Sequence, residues 1–288
     1  MRKKECIRAD VEVASFLNGR LLLSAAAGAK HRVASKLVGE LGVRVVVVTA
    51  RTLALPPEGP MEEDQESTTT RTASVPCVSV VHLPALPNDG WHSGPLAAEG
   101  NDDGVEEYLR CVQDTFRQLL DASSESGQFN LCYLHVPLED NKTQRLPVPL
   151  LLTLCRLIDM LYAVMDMQQS YGDDERGSAP QHKGSVLVHC LQGASRSVCC
   201  VAAYLMYLDR RFLLRKVALL DHSAATGSDD ADDVIALREK LVTTPSFLTT
   251  IDLIEKMRPK ADPNSWFRLL MMKFEVALRK GVADQYLV

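Results

Sequence analysis

The most informative segment of the chain is VLVHCLQGASRSVCCVAAYLMY, residues 186–207. It opens with an apolar, largely β-branched run at 186–188, which predicts a strand buried on both faces. From Ser197 onward the segment is apolar enough to predict a largely buried helix. A turn of small residues that contains Gly193 connects the two. Because backbone N–H groups converge at such a turn and the helix dipole adds positive potential, the segment predicts an anion-binding site.

The side chains of this turn predict a nucleophile and its supports. Cys190 would lie in the positive field of the helix N-terminus, where a cysteine is held as a thiolate at neutral pH. Arg196 can grip two phosphate oxygens with its planar guanidinium. Ser197 can donate a hydrogen bond to the sulfur and ease its departure, and His189 is expected to order the backbone of Cys190. These residues indicate attack on phosphorus through a phosphocysteine intermediate, whereas the alternative is a buried structural cysteine.

The segment HCLQGASRS, residues 189–197, resembles the signature loop of the cysteine-dependent protein tyrosine phosphatases. The sequence SRS followed by AYLMY is similar to the dual-specificity branch of that superfamily. The resemblance implies Cys190 as nucleophile, Arg196 as phosphate clamp and Ser197 as the residue that assists breakdown of the intermediate. It also implies a phosphate cradle built from the amides of Leu191, Gln192, Gly193, Ala194, Ser195 and Arg196.

A general acid is also expected, because a phosphorylated side chain leaves as a poor oxyanion unless a carboxylic acid protonates it. Asp140 follows a predicted strand at 131–136, in a loop that could swing over the anion site. The sequence PLEDN around it resembles the general-acid loop of dual-specificity phosphatases. Glu139 beside it and Asp89 in LPALPND are the alternative acids. Asp140 could equally cap the next helix, which is compatible with its being the acid.

The predicted fold class is α/β, with a central, mostly parallel sheet flanked by helices, as in the phosphotyrosine phosphatases. The segment FLNGRLLLS predicts a hairpin with Asn18-Gly19 at its turn. A helix at 29–41 and a strand at 43–49 follow, which predicts a parallel strand pair with a right-handed crossover. The active loop should lie at the carboxyl end of a central strand.

Further helices are predicted in the second half of the chain. One covers 147–169, and the helix after the loop should end near Asp209, with another starting at Phe212. The segment 248–275 is similar to the closing helices of dual-specificity phosphatases, with Arg258-Pro259 and Pro263-Asn264 in register. Asn264 is the predicted N-cap of the last helix.

One catalytic domain is expected at residues 11–275, between an N-terminal tail at 1–10 and a C-terminal tail at 276–288. Insertions at about 52–130 and 221–246 should interrupt it. The first contains a run rich in Pro, Glu, Ser and Thr, which predicts disorder, a short strand at 77–83 and an amphipathic helix at 105–120. It is either a tolerated surface excursion or a docking site for a substrate or partner.

Charge and cysteine content limit the classes of function. The net charge is −5, but residues 55–130 carry 14 acidic residues against three arginines, so the remainder is mildly basic and suits an anionic substrate. No run is long enough to span a bilayer. The eight cysteines form no CxxC pair, so a reducing compartment is expected, the cytoplasm or the nucleus.

The favoured function is a dual-specificity phosphoprotein phosphatase, which acts on phosphotyrosine and phosphoserine or phosphothreonine without a metal or other cofactor. A phosphoinositide phosphatase usually carries lysines in the loop, and no aromatic and basic platform for nucleic acid is evident. A phosphoprotein-binding module would usually have lost the cysteine, the arginine or the acid, and the SRS sequence disfavours a rhodanese-like sulfurtransferase. Cys199 and Cys200 are either resolving thiols for Cys190 or small apolar fillers.

Overall fold

The computed structural model describes residues 13–25, 41–49, 59–60, 77–82, 130–136, 148–170, 184–225 and 231–281, with the single residues 110, 114, 118 and 138. The strands are β1 (Ala14–Phe16), β2 (Leu21–Ala25), β3 (Val43–Val48), β4 (Gly59–Pro60), β5 (Cys77–His82), β6 (Asn130–His135) and β7 (Ser185–Cys190). The helices are α1 (Val148–Ser170), α2 (Arg196–Ala225), α3 (Ala231–Thr243), α4 (Phe247–Met257) and α5 (Ser265–Arg279). None of the helices in these ranges is long and apolar enough to cross a membrane.

The strands form one seven-stranded sheet in the order β1-β2-β7-β3-β6-β5-β4. The five inner strands run parallel to their neighbours, and only the edge strands β1 and β4 pair antiparallel. The predicted α/β class with a mostly parallel sheet is therefore confirmed. The predicted pairing of the first two parallel strands is wrong, because β7 lies between β2 and β3: Val186 faces Leu21 on one side and Val45 on the other.

Alternation along the strands explains how both faces of the sheet are buried. Odd and even positions of a strand point to opposite faces. On one face, Leu21, Leu23 and Val186 belong to a large apolar cluster that also contains residues of α1, α2, α4 and α5. On the other face, Leu22 and Leu187 belong to a second, smaller cluster. Burial on two sides suits the nearly uninterrupted β-branched and apolar sequences of these strands.

The N-terminal hairpin forms as predicted, with Asn18 and Gly19 at positive φ (57° and 90°) in a 3₁₀ turn between β1 and β2. Hydrogen bonds connect its turn to α1 and to β7. Arg20 makes two hydrogen bonds to the carboxylate of Asp166 on α1, at 2.8 and 3.1 Å. Ser185 Oγ, at the start of β7, donates to Gly19 O at 2.8 Å. The hairpin therefore fixes the beginning of the strand that leads into the active loop.

Helix α2 differs from its prediction. It continues as one helix from Arg196 to Ala225, whereas a break near residue 209 was expected. No glycine or proline lies within it to end it. Arg210, where the break was expected, is buried and donates from Nη1 to Leu241 O at 2.8 Å, so its polar group is satisfied within the fold.

The other long helix agrees with its prediction. Helix α1 covers Val148–Ser170, where 147–169 was expected. Six of its apolar residues are buried in the core; they are Leu151, Leu154, Leu157, Ile158, Leu161 and Met165. The predicted helix at 29–41 lies outside the described residues, except for Leu41.

The two segments predicted as insertions contain regular structure. Strands β4 and β5 come from the first segment and extend the sheet, with β5 parallel to β6. Arg110, Asp114 and Gln118 are helical and exposed, which agrees with the polar face of the helix predicted at 105–120. Helix α3, with 13 residues, occupies half of the second segment, and the last five residues of α2 lie at its start. At the C-terminus, α5 continues past the predicted boundary at 275 to Arg279, because Ala277 and Leu278 are buried.

Candidate active site

The active loop connects the end of β7 at Cys190 to the start of α2 at Arg196. Its bend occurs at Gly193, whose φ is +66°. A Cβ at this position would come within 2.4 Å of Ser24 O on β2. Glycine is therefore required both for the backbone conformation and for the close contact with the neighbouring strand.

The sulfur of Cys190 accepts hydrogen bonds at the base of this loop. The backbone N–H of Gly193 and the hydroxyl of Ser197 each donate to Sγ at 3.2 Å. Burial by itself would raise the pKa of this thiol, since its residue is only 2% exposed. The donors outweigh burial: the Ser197 hydroxyl contributes most, followed by backbone N–H groups of the loop, and the pKa of Cys190 is lowered. The site therefore favours the thiolate.

Arg196 begins helix α2 and is largely buried. Its Nη1 donates to Leu138 O at 3.1 Å, in the segment that follows β6. This contact brings the segment after β6 to the active loop, two residues before Asp140 in the sequence. The three candidate acids, Asp140, Glu139 and Asp89, lie outside the described residues.

His189, next to Cys190, lies against the backbone at the start of the loop. Its Nδ1 lies 3.4 Å from Cys190 O, and its own carbonyl accepts hydrogen bonds from Thr49 N and Thr49 Oγ1 at 2.8 and 3.0 Å. Burial lowers the pKa of His189 to about 4, against a smaller opposing effect of the contact with Cys190. The imidazole is therefore neutral at pH 7, and the backbone carbonyl of His189 connects β7 to Thr49, the residue after β3.

The outer side of the loop contacts the segment between α4 and α5, which the sequence did not predict. Arg258 donates from Nε to Gly193 O at 2.8 Å and from Nη2 to Gln192 O at 3.3 Å. The signal in the sequence was the Arg258-Pro259 pair, in register with the closing helices of the phosphatases. Asn264 is the N-cap of α5 as predicted, because its Oδ1 accepts from Phe267 N at 2.9 Å. Its own N–H donates to Ser195 Oγ at 3.2 Å.

The outer rim of the loop is uncharged. Leu191 is 51% exposed, Gln192 is also exposed, and Ala194 and Ser195 are partly exposed. Among the residues that the structure describes, no group of His, Cys, Asp or Glu side chains could hold a metal ion. Cys199 and Cys200, one turn into α2, are buried and unpaired with any disulfide partner in the described part of the chain.

The loop lies between a buried parallel strand and a helix that begins with arginine, and it holds a hydrogen-bonded thiol. Such an arrangement can bind an anion beside the sulfur. No protein-family model and no curated protein sequence matches the chain. Three solved structures that are similar to it are DUSP15, human DUSP28, and a complex of PTPMT1 with PI(5)P. DUSP28 and DUSP15 have the dual-specificity phosphatase fold.

The likeness to these structures covers most of each chain at low identity. DUSP28 is 16% identical, over 95% of this chain and 97% of its own, with a TM-score of 0.39. DUSP15 is 14% identical, over 94% and 96%, with a TM-score of 0.42. PTPMT1 is 14% identical, over 93% and 95%, with a TM-score of 0.36. At these values, the function of the present chain has to be inferred from its own site.

Proposed function

We propose that the protein is a dual-specificity phosphoprotein phosphatase, which hydrolyses phosphotyrosine and phosphoserine or phosphothreonine through a phosphocysteine intermediate. The observation that supports this most directly is the pair of donors on Cys190 Sγ, the Gly193 N–H and the Ser197 hydroxyl, both at 3.2 Å. Two donors converging on one buried sulfur stabilise the anion, and the thiolate is the nucleophilic form of cysteine.

In the first step, the Cys190 thiolate attacks phosphorus. The S–P bond forms as the bond between phosphorus and the oxygen of the substrate side chain breaks. Arg196 and the loop N–H groups hold the non-bridging oxygens, whose negative charge they balance. Asp140 gives its proton to the departing oxygen, which then leaves as a neutral hydroxyl group.

In the second step, water attacks the phosphocysteine. The Asp140 carboxylate accepts a proton from the water as the new P–O bond forms. The S–P bond breaks and its electron pair returns to sulfur. Ser197, which donates to the same sulfur in the resting loop, stabilises this departing thiolate. Inorganic phosphate is released and Cys190 is again a thiolate.

Asp140 is preferred over Asp89 because of the strand order. The segment after β6 already reaches the loop through the contact between Arg196 and Leu138 O. Strand β5, which precedes Asp89, lies one strand further from β7 than β6 does. Neighbouring strands are about 4.8 Å apart, so an acid after β5 starts from a more distant position. Glu139 is adjacent to Asp140 and is distinguished from it by mutation.

The loop surface supports a phosphoprotein substrate. Leu191 and Gln192, its two exposed residues, carry no charge, whereas a ligand with several phosphates would be held by additional cations. A phosphoinositide is the competing substrate. A binding module without turnover is the competing function, but Cys190 and Arg196 are both present in the loop. The acidic segment at 52–130 is the proposed docking site for a protein partner.

The test is hydrolysis by the purified protein, in the presence of a metal chelator, of p-nitrophenyl phosphate, phosphotyrosine and phosphothreonine peptides, and a phosphoinositide. Turnover of both peptides is expected. Cys190→Ser should abolish it, by at least about 10³-fold, and Cys132→Ala, which removes a buried thiol outside the loop, should not. Turnover by Cys190→Ser would disprove the covalent mechanism. If only the phosphoinositide is hydrolysed, the substrate is a phosphoinositide and not a phosphoprotein. If phosphopeptides bind but are not hydrolysed, the protein is a binding module and not an enzyme.

A further inference from the structure

Three successive carbonyl groups of the loop accept hydrogen bonds from the segment that follows α4. Gln192 O and Gly193 O accept hydrogen bonds from Arg258, and Ala194 O accepts from the backbone N–H of Asp262 at 2.8 Å. In a trans peptide group, the N–H points opposite to the C=O. Holding these carbonyls outward therefore turns the N–H groups of the three following residues inward, toward Cys190 and the position of the phosphate.

Arg258 supplies the only side chain among these three contacts. It is 1% exposed, so its whole side chain is buried. Burying a guanidinium destabilises the folded state unless its N–H groups make hydrogen bonds. Its planar fork can hold two adjacent carbonyls at once, with Nε on one and Nη2 on the other, which the single ammonium group of lysine cannot do in the same geometry.

One peptide group links Arg258 to the nucleophile. The carbonyl of the Gln192–Gly193 peptide accepts from Arg258 Nη2 at 3.3 Å, and the N–H of the same peptide donates to Cys190 Sγ at 3.2 Å. Hydrogen bonds in series polarise one another. A cation at the carbonyl therefore makes the N–H a stronger donor to a sulfur anion.

We propose that Arg258 is a positioning residue for the active loop: it fixes two peptide groups with their N–H groups inward, and so favours both the Cys190 thiolate and the binding of a phosphate dianion. It acts through the loop and does not touch the substrate. The inference rests on the proposed function only for its kinetic readout, because ionisation of Cys190 and oxyanion binding can be measured without turnover.

The other titratable groups near Cys190 do not obscure such a measurement. On β7, burial lowers the pKa of His189 to about 4. On α2, burial raises the pKa of the Cys200 thiol to about 12, and Arg196 is a cation. Behind the loop, Arg258 is a second cation. Of the described groups around the sulfur, only Cys190 is expected to titrate between about pH 5 and pH 9. The rate of alkylation over this range therefore follows the ionisation of Cys190.

The experiment compares Arg258→Lys and Arg258→Gln with wild type. Lysine keeps the charge without the fork, and glutamine keeps an N–H donor without the charge. The matched control is Arg210→Lys, because Arg210 is also buried and also donates to a carbonyl, that of Leu241, outside the loop. The readouts are the rate of Cys190 alkylation by neutral iodoacetamide against pH, the Kd for vanadate, and kcat and KM separately.

Both Arg258 variants should alkylate about tenfold more slowly at pH 6, with the profile displaced to higher pH, and should bind vanadate about tenfold more weakly. Arg210→Lys should keep the wild-type profile and Kd, whatever its melting temperature. If either folded Arg258 variant keeps the wild-type alkylation profile and vanadate Kd, the inference is wrong. If the wild type shows the tuned thiol and the variants lose it, but no phosphate ester is hydrolysed, the proposed function fails and the positioning role stands.

Discussion

The active loop and the first turns of helix α2 contain three buried cysteines whose pKa values are shifted in different directions. Cys190 is 2% exposed, Cys199 is 1% and Cys200 is 4%, so burial does not distinguish them. The pKa of Cys190 is nevertheless lowered, whereas burial raises the pKa of Cys200 to about 12 and that of Cys199 well above its usual value.

The difference comes from the donors that reach the sulfur of Cys190, first the Ser197 hydroxyl and then backbone N–H groups. In the helix they are used by the helix itself: Cys199 N donates to Ser195 O at 2.9 Å. In the loop, the carbonyls of Gln192 and Gly193 are held by Arg258, and the N–H of Gly193 donates to sulfur instead. Burial raises the pKa of a thiol in either place, and among these three cysteines only Cys190 receives donors that reverse the effect.

The largest expected effect is therefore a difference in alkylation between the loop and the helix. At pH 6, iodoacetate should label Cys190 at least about 10³-fold faster than Cys199 or Cys200, because a thiol with a pKa of about 12 is almost entirely protonated there. Peptide mapping by mass spectrometry measures the rates, and phosphate or vanadate should protect Cys190. Equal labelling of all three, without protection, would contradict the tuned nucleophile.

Substitution of Arg196, the proposed phosphate clamp, should have the next largest effect. Arg196→Lys replaces a planar fork by a single ammonium group, so kcat/KM for phosphotyrosine peptides should fall by about 10²- to 10³-fold. Arg215→Lys, which changes an exposed arginine on the same helix, is the control and should stay close to wild type. A loss of less than threefold in Arg196→Lys would show that phosphate binding depends on the loop amides alone.

Substitution of Asp140, the proposed general acid, should have an effect that depends on the leaving group. Asp140→Asn should lower turnover of phosphotyrosine peptides by about 10²-fold or more, and should cost much less with an activated ester whose leaving group needs no proton. The basic limb of the pH profile should flatten, because that limb reports the protonated acid, and the acidic limb should stay.

Glu139→Gln and Asp89→Asn are the controls for the acid and should leave both limbs in place. If Asp89→Asn flattens the basic limb instead, the acid lies in the segment at 52–130. That result would assign the acid to the loop after β5, whereas the contact of Arg196 with Leu138 O favours the loop after β6.

The sequence predicts most of the loop because its chemistry is local. Cys190, Gly193, Arg196 and Ser197 lie within eight consecutive residues, and each has a residue type that only a few roles suit. The hairpin turn is predictable for the same reason, since Asn18 and Gly19 tolerate the positive φ that it requires.

The features that sequence did not predict depend on distant partners. Strand β7 inserts between β2 and β3, and nothing in three similar apolar strands specifies that order. Arg258 contacts Gly193 across 65 residues of sequence. Helix α2 continues past Asp209, where the sequence predicted its end, and Arg210 is satisfied there by a carbonyl of α3. A polar residue marks a helix end only if the fold offers it no partner.

The smallest expected effect concerns Ser197, which contributes one of the two observed donors to the sulfur. Ser197→Ala removes a donor from the charged form, so the pKa of Cys190 should rise and the acidic limb of the pH profile should move to higher pH. The departing thiolate is also less stabilised, so breakdown of the intermediate should slow, with kcat lower by about tenfold and a burst of the first product.

Ser197→Thr keeps the hydroxyl and should behave as wild type. Because kcat/KM reports steps up to the first irreversible one, it should change less than kcat at the pH optimum. A burst without a displaced limb would assign Ser197 to breakdown alone, and a displaced limb without a burst would assign it to ionisation alone; if neither occurs, the Gly193 N–H and the remaining loop amides account for the difference between Cys190 and the helix cysteines.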